Sequence, residues 1–529
     1  MKKLMFSILP AFLLALVSCM NTSQESEGGS VRVVLPSSSR ALYSSGHDDV
    51  DSFTVRLLLG EKIINEKSIT KDSADTGGAI VFDELEPATY TVEVEGWMSS
   101  KDVLLYFGTE EAKVTAGQDA DCQVNLKKDC QIYDNTADAE ELKTACESDG
   151  NAYIFMGGNS SVSTNQATSD NNQLTNIISG TKIIRGNGGK LVQSTDDNKT
   201  LTTEGGQIKL FNVTGSSTIL EINNLTFTAS STVGTTSTLD GALICVDDGA
   251  TVILKQCLIK DISISRSSKD TSFIYVKNGT LLLENCSFLN NATGSGNGAK
   301  YTECIRIENG AQVEVVSCNF EGNGNAYSTS NAAAIENFGS CRIINTTFKD
   351  NLAQRGGAIM NNDSGSLEIE DSTFTGNANN NTTGYYAKRG GAIFIQGGKV
   401  QIKNTAFTGN ETYGDSQGGE HNTNGEFQKL GGGAISIKTG SLVLQSTRFK
   451  NNSVTSTDSN DAYGYGGAVL VEQSDASLLL KDANGATMEI DSYISNYMNG
   501  NTTAKNNAGA NIYCNGGTIN GTVYTKAWE

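Results

Sequence analysis

Proline is nearly absent from this 529-residue chain: there are 3, and none follows Pro87. So little proline, without a G-X-Y period, excludes a collagen triple helix. Histidine is as scarce, with 2 residues, which leaves little material for multi-histidine metal centres or histidine relays. Positive charge is also in deficit: 39 Lys plus Arg face 59 Asp plus Glu, a net charge of −20. Tracking nucleic-acid phosphates needs a basic face, so nucleic acid is set aside as a partner. Beyond the first twenty residues no apolar run approaches the roughly 18–20 residues of a transmembrane helix. Glycine is plentiful, at 57. Glycine-rich, proline-poor sequence with many β-branched residues suits short strands stacked through tight turns.

The amino terminus has its own pattern. Lys2 and Lys3 precede the apolar stretch Leu4 to Val17, which ends Leu16-Val17-Ser18-Cys19. That ending resembles the lipobox of bacterial lipoproteins, with Leu at −3, a small residue at −1 and Cys at +1. Val17 departs from the usual Ala or Ser at −2. The resemblance implies that residues 1–18 are a signal peptide, that Cys19 carries the lipid, and that acyl chains alone hold the protein to a membrane. Met20, where Asp would imply inner-membrane retention, implies the outer membrane. An ordinary secretory signal with a chance cysteine is the alternative. Residues 19–29 then form the lipidated cysteine and a solvated tether.

Residues 30–127 alternate apolar and polar in short runs, as in Phe53-Thr-Val-Arg-Leu57 and Tyr90-Thr-Val-Glu-Val94. This period of two, with turns between, predicts an antiparallel β-sandwich. The segment Phe82-Asp-Glu-Leu85-Glu-Pro87-Ala-Thr-Tyr90-Thr-Val92-Glu-Val94 resembles the F-x-x-L-x-P-G-x-Y-x-V strand pair of prealbumin-like, carboxypeptidase-regulatory-type domains, with Ala88 in place of Gly. Next, residues 138–147 carry a capping Asp138, first-turn acids and helical apolar spacing. They read as a short helix that plugs the amino-terminal end of a sheet stack.

From about residue 215 the chain repeats. Aligned on the anchors Phe227, Ile259, Phe288, Phe320, Phe348, Phe374, Phe407 and Phe449, the residues seven and five positions earlier are all apolar. They alternate with polar neighbours and so form the inward side of one strand. Three positions earlier stand Asn224, Gln256, Asn285, Ser317, Asn345, Asp371, Asn404 and Ser446, residue types suited to corners and, for Asn, to left-handed backbone. Three positions after the anchor, Asn291, Asn323, Asn351, Asn377, Asn410 and Asn452 mark the next corner. Gly356-Gly-Ala-Ile359, Gly390-Gly-Ala-Ile393, Gly432-Gly-Ala-Ile435 and Gly466-Gly-Ala-Val469 form a second motif, where glycine lets the chain enter a strand without a clash. A coil of three short strands takes about 22–25 residues, and at about 4.8 Å per coil nine to twelve coils are expected. The fold class is therefore all-β: an N-terminal antiparallel β-sandwich, then a right-handed parallel β-helix over 128–529.

F-x-x-N paired with G-G-A-[ILV] resembles the repeat of the polymorphic outer-membrane proteins of chlamydiae and similar bacterial surface proteins, over about residues 215–520. That family ends in a membrane β-barrel with an aromatic terminus. Here the chain ends Ala527-Trp528-Glu529, and the expectation is that the lipid anchor takes the barrel's place. The resemblance implies a surface location.

Chemistry has few places to reside. Cys257, Cys286 and Cys318 share one inward column, and their coil spacing explains them without a metal. Free thiols are expected, a disulfide being the alternative. The excursions between F-x-x-N and G-G-A carry Tyr385, Tyr386, Lys388 and Arg389, then Tyr413, Asp415 and His421, then Tyr463 and Tyr465. Aromatics beside charged groups suit glycan or protein recognition, the bland alternative being solvated loops. Arg355, Arg389, Asp363 and Asp371 are the residues a β-helix lyase or hydrolase would draw on, but Asp371 belongs to the corner column and the arginines suit ion pairs or solvent. The expected function is a non-enzymatic, surface-exposed adhesin or ligand-display scaffold on the cell envelope, without cofactor or metal. Its partners would be the membrane and a host or matrix protein or glycan. The alternatives are a carbohydrate-active β-helix enzyme and an envelope protein without a specific ligand.

Overall fold

The computed structural model describes residues 28–35, 50–60, 62–75, 79–98, 103–128, 130–136, 139–156, 161–163, 173–186, 190–193, 209–229, 233–235, 243–262, 264–266, 272–291, 303–324, 331–380, 389–414, 430–456, 464–503 and 509–528. The chain divides into two compact units, Met1–Cys130 and Gln131–Glu529. The expected signal peptide and Cys19 lie outside the described residues.

The first unit is a β-sandwich. One sheet centres on Gly29–Val34, which pairs antiparallel with Ala79–Leu85 and parallel with Asp119–Gln123. The other runs Lys62–Thr70, Ser52–Leu59, Thr89–Met98, Val103–Lys113, Lys127–Lys128, with antiparallel neighbours throughout. Alternation decides which side faces in: Phe53, Val55 and Leu57 are buried while Thr54 and Arg56 are only half so. The turn between Ala79–Leu85 and Thr89–Met98 is tied by the Tyr90 hydroxyl, which donates to the Glu86 carbonyl at 3.0 Å. A short helix α1, Lys71–Asp75, follows the edge strand.

The second unit is a parallel β-helix built on three ladders. A long-strand ladder climbs from Asn151–Met156 to Ala476–Lys481, eleven strands among the described residues. A short-strand ladder follows each G-G-A motif, as in Ile359–Asn361 stacked on Ile393–Ile395. A third ladder of eleven strands carries the anchors, with Phe227, Ile259, Phe288, Phe320, Phe348, Phe374, Phe407 and Phe449 in one register. The six phenyl rings from Phe288 to Phe449 stack with centroids 4.6–5.0 Å apart and planes 5–10° from parallel. That spacing is the coil repeat itself. It exceeds the roughly 3.5 Å of face contact, so the rings are offset rather than eclipsed.

The corners obey the expected rule. Asn224, Gln256, Asn285, Ser317, Asn345, Asp371, Asn404 and Ser446 all have φ between 47° and 54°. A second left-handed corner sits two residues after the anchor, at Asp261, Asn290, Gly322, Asp350, Gly376, Gly409 and Asn451. The second glycine of each G-G-A is a place of close approach: a Cβ on Gly391 would lie 2.1 Å from the Gly433 carbonyl oxygen.

Two side-chain ladders bind the coils through the corners. At the first, from Gln256 to Ser446, the residue after the left-handed corner is a buried thiol or hydroxyl. Each donates to a nearby carbonyl, as Thr346 does to Ile344 at 2.9 Å. Cys318, Thr346, Ser372 and Thr405 also accept a backbone N–H from the coil before, as Thr346 Oγ1 does from Cys318 at 3.3 Å and Cys318 Sγ from Cys286 at 3.4 Å. Cysteine, serine and threonine therefore exchange freely in this column. At the second corner the asparagines form a continuous amide ladder. Asn377 Nδ2 donates to Asn410 Oδ1 at 2.9 Å and to the Phe348 carbonyl at 2.9 Å. Its Oδ1 accepts from Asn351 Nδ2 at 2.9 Å and from the Asn351 N–H at 3.2 Å. All four bonds of a buried amide are made, so its burial leaves no orphaned group.

Both ends are closed. Helix α2, Ala139–Cys146, buries Leu142, Ala145 and Cys146 against the first coils. Lys182, buried beside it, donates to the carbonyls of Ser148 and Gly150 just beyond the helix. At the other end, helix α3, Ile490–Tyr497, interrupts the last coil. Its Tyr493 hydroxyl accepts from the Thr447 N–H at 3.2 Å and donates to the Thr447 carbonyl at 3.0 Å. It thereby stands in for the hydroxyl that another coil would supply. The amide ladder ends through Asn501 on Asn511. The antiparallel strand Thr522–Trp528 covers Ile512–Ile519. The expected helix was confined to residues 138–147. Helix α3 arises from the helical spacing of Ile490, Tyr493, Ile494 and Tyr497 within an otherwise strand-like sequence.

Asn377→Ala is expected to cost roughly 2–4 kcal/mol, because four buried backbone or amide groups each lose a partner. Phe374→Ala should cost roughly 3–5 kcal/mol through a cavity in the ring stack. Urea unfolding followed by circular dichroism measures both; a loss within error for Asn377→Ala would mean the amide ladder is not a stabilising element.

Candidate functional site

The excursions after the amide corner share one origin. They leave from Ala378–Asn380, Glu411–Gly414 and Ser453–Ser456, strands that pair coil on coil in a parallel sheet with Leu352–Ala353. They return at Arg389, Leu430–Gly431 and Gly464–Tyr465, which also stack in register. The two feet of each excursion are therefore fixed by ladders. Tyr385, Tyr386, Lys388, Asp415, His421 and Tyr463 lie in the segments between those feet, outside the described residues.

Three of the nominated residues are described. Tyr413 is half-buried, and its backbone N–H donates to Asn379 Oδ1 at 3.2 Å. Tyr465 is half-buried with its ring centroid 4.5 Å from that of Tyr513, tilted by 39°. Arg389 is not offered to solvent. It is buried, with Nε 2.8 Å from Glu472 Oε1 and its guanidinium 5.6 Å from the Phe394 ring centre. Ser436 Oγ donates to the same Glu472 oxygen at 2.5 Å. An arginine foreseen at a loop end, salt-bridged or solvated, is thus a sealed ion pair at an excursion's foot. Asp371 has its corner role, its carboxylate accepting from Asn404 Nδ2.

This ion pair belongs to a covered face. The middle residues of the short-strand ladder point away from the coil interior and stack as Tyr275, Arg306, Glu336, Met360, Phe394, Ser436, Leu470 and Tyr513. Alternation alone would leave this column to water, yet from Arg306 to Leu470 it is buried. Arg306 reaches Glu308 at 2.7 Å, Glu336 at 2.8 Å and Glu303 at 3.8 Å, and lies over Phe338. Asn331 donates to Glu336 at 2.7 Å. Between the two arginines, Ala332, Met360 and Phe394 form a small apolar cluster of their own. The column is an outer core that clamps the returning feet onto the coil. Sequence reading missed Arg306, Glu336, Ser436, Glu472 and Tyr513. The available signal was charge in the middle of short strands such as Ile305-Arg-Ile307 and Ile335-Glu-Asn337.

The carboxylates here are committed: those of Glu336 and Glu472 face arginines inside the protein. A glycoside hydrolase instead needs two carboxyl groups that flank a substrate bond. Among the described residues no group of three or more His, Cys, Asp or Glu side chains is placed to hold a metal ion. The nine cysteines whose side chains are described are free thiols, all buried. Burial pushes the Cys341 thiol up to about 12 and holds Cys304 well above its ordinary value.

The outward face of the long-strand ladder holds a shallow cavity of about 110 Å³, lined by Arg342, Ile343, Glu368, Ile369, Glu370, Gln401 and Lys403. Arg342 pairs with Glu314 at 2.6 Å, and Lys403 pairs with Glu370.

No protein-family model matches this chain, and no curated protein matches it significantly.

Arg389→Ala should destabilise the β-helix by roughly 3–5 kcal/mol, since it strands the Glu472 carboxylate, whereas Arg389→Met with Glu472→Leu should recover most of that loss. Thermal melts of the single and double variants test the pair; equal damage from all of them would show that Arg389 and Glu472 are not coupled. In a second test, a thiol reagent at pH 8 should leave Cys304 and Cys341 unmodified in the folded protein and label them once it is unfolded, because neither thiol ionises or meets solvent.

Proposed function

We propose that this protein is a surface-exposed lipoprotein of the bacterial outer membrane, anchored by acyl chains on Cys19, and that its β-helix displays excursions for adhesion. The observation that carries this reading is the stacking of the excursions' feet. Three segments of unequal length leave and return through the same ladders on successive coils. Such a scaffold tolerates change in the segments while holding their ends in place, as a recognition surface requires. The buried Arg389–Glu472 pair and the outer core beneath the feet support it, because they fix positions without offering chemistry. The F-x-x-N and G-G-A-[ILV] repeats favour kinship with the polymorphic outer-membrane proteins. The ligand would be a host or matrix protein or glycan, met by Tyr385, Tyr386, Lys388, Tyr413, Asp415, His421, Tyr463 and Tyr465.

Two experiments test this. Cys19→Ser should move the protein from the membrane fraction to the soluble one; unchanged partition would reject the anchor. Replacing residues 381–388, 415–429 and 457–463 by short Gly-Ser segments should abolish binding to matrix proteins and charged glycans in an array while leaving the β-sheet circular dichroism intact. Binding to matrix proteins or charged glycans that survives all three replacements would reject the display reading.

A further inference from the structure

We propose that the outward face of the long-strand ladder, over the coils carrying Glu314, Arg342, Glu368 and Gln401, is a groove for an uncharged linear polysaccharide lying along the coil axis. This site lies on a different ladder from the displayed excursions and does not depend on them.

The four side chains form one register column, paired strand to strand as Glu314, Arg342, Glu368 and Gln401. A parallel column two residues on holds Glu370 and Lys403. Between them lies the shallow cavity, walled by the two cations, both carboxylates and the Gln401 amide. The polar patch is bounded: the same column becomes Leu282 before Glu314 and Val443 after Gln401.

Charge selects the ligand. Arg342 is matched to Glu314 and Lys403 to Glu370, so neither cation is left over for an anionic polymer. Glu368 adds a further negative charge, and the whole chain stands at −20. A polyanion is therefore repelled. What the groove offers is hydrogen bonding. The side chains of Glu368 and Gln401 make no hydrogen bond among the described residues, so a carboxylate acceptor and an amide with both functions stay available to hydroxyl groups.

Geometry selects the polymer. Successive side chains in the column are one coil apart, about 4.8 Å, and the four span roughly 14 Å. One ring of an extended glycan covers nearly the same distance, and since neighbouring rings of a β-1,4-linked chain are turned over, equivalent hydroxyls meet every second coil. An extended peptide repeats its same-face side chains every ~6.7 Å and falls out of step within two coils. The strands are fixed by their ladders, so the backbone beneath the ligand needs no ordering.

The test is calorimetric titration of the full mature chain with cellohexaose, xylohexaose, mannohexaose and chitohexaose, with hexagalacturonate and an extended hydrophilic hexapeptide as contrasts. At least one neutral hexasaccharide should bind. Gln401→Ala and Glu368→Ala should each weaken it by about tenfold, the scale of one lost hydrogen bond to a charged or amide group. Both side chains are exposed, so these variants should keep their circular dichroism and melting temperature. The excursion replacements described above should leave this affinity unchanged, which separates failure of the groove from failure of the display reading. Absence of binding to every neutral hexasaccharide at millimolar concentration would overturn the proposal. So would preference for hexagalacturonate or the peptide, or an affinity indifferent to both substitutions.

Discussion

The β-helix depends on the asparagine amide ladder at its second corner. A coil must turn there with its backbone groups buried, and a buried amide is costly unless every donor and acceptor is matched. The ladder meets this condition because an amide can donate twice and accept twice, and because one coil repeat is the distance over which neighbouring amides bond. From Asn291 to Asn501 the ladder is continuous, closed by the Ile262 N–H at one end and Asn511 at the other. No other side chain combines that reach with that balance. The stacked phenyl rings beside it add apolar burial, but the amides set the register in which those rings meet.

Once this corner is fixed, chain length beyond it is free. The coil has only to come back to the next G-G-A, where backbone approaches backbone too closely for any Cβ. Unequal excursions are thus compatible with an unbroken core. What keeps their feet in place is the outer core on the short-strand ladder, where two buried arginine clusters flank Ala332, Met360 and Phe394. Buried ion pairs give little net stability but penalise any arrangement that separates them, a property suited to holding an insertion in one place. The closed ends have a related logic. Tyr493 and the strand Thr522–Trp528 occupy hydrogen-bonding groups that would otherwise invite another strand.

Much of this was legible in the residues. The anchor, the two apolar columns and the first left-handed corner follow from spacing and side-chain type, and all of them stack as read. The second left-handed corner was present in the sequence as Asp, Asn or Gly before each corner asparagine, and went unread. Helix α3 was hidden because its apolar spacing lies between strands. The nominated site was less legible. Arg389 sits where the spacing puts it, but its partner Glu472 is 83 residues away and joins it only because the coils stack.

Sequence alone determined the coil: which residues face inward, where the chain turns, and that the turns recur. Those are local properties, set by period-two alternation and by the few residue types that tolerate positive φ or match a buried amide. Tertiary structure alone decided which outward residues stay outward. The column from Arg306 to Leu470 reads as solvent-facing and is buried, whereas that from Glu314 to Gln401 reads the same way and remains open. The difference is whether returning chain lies across the strand, and that is set by contacts between residues far apart in sequence that stacking brings to coils one or two apart.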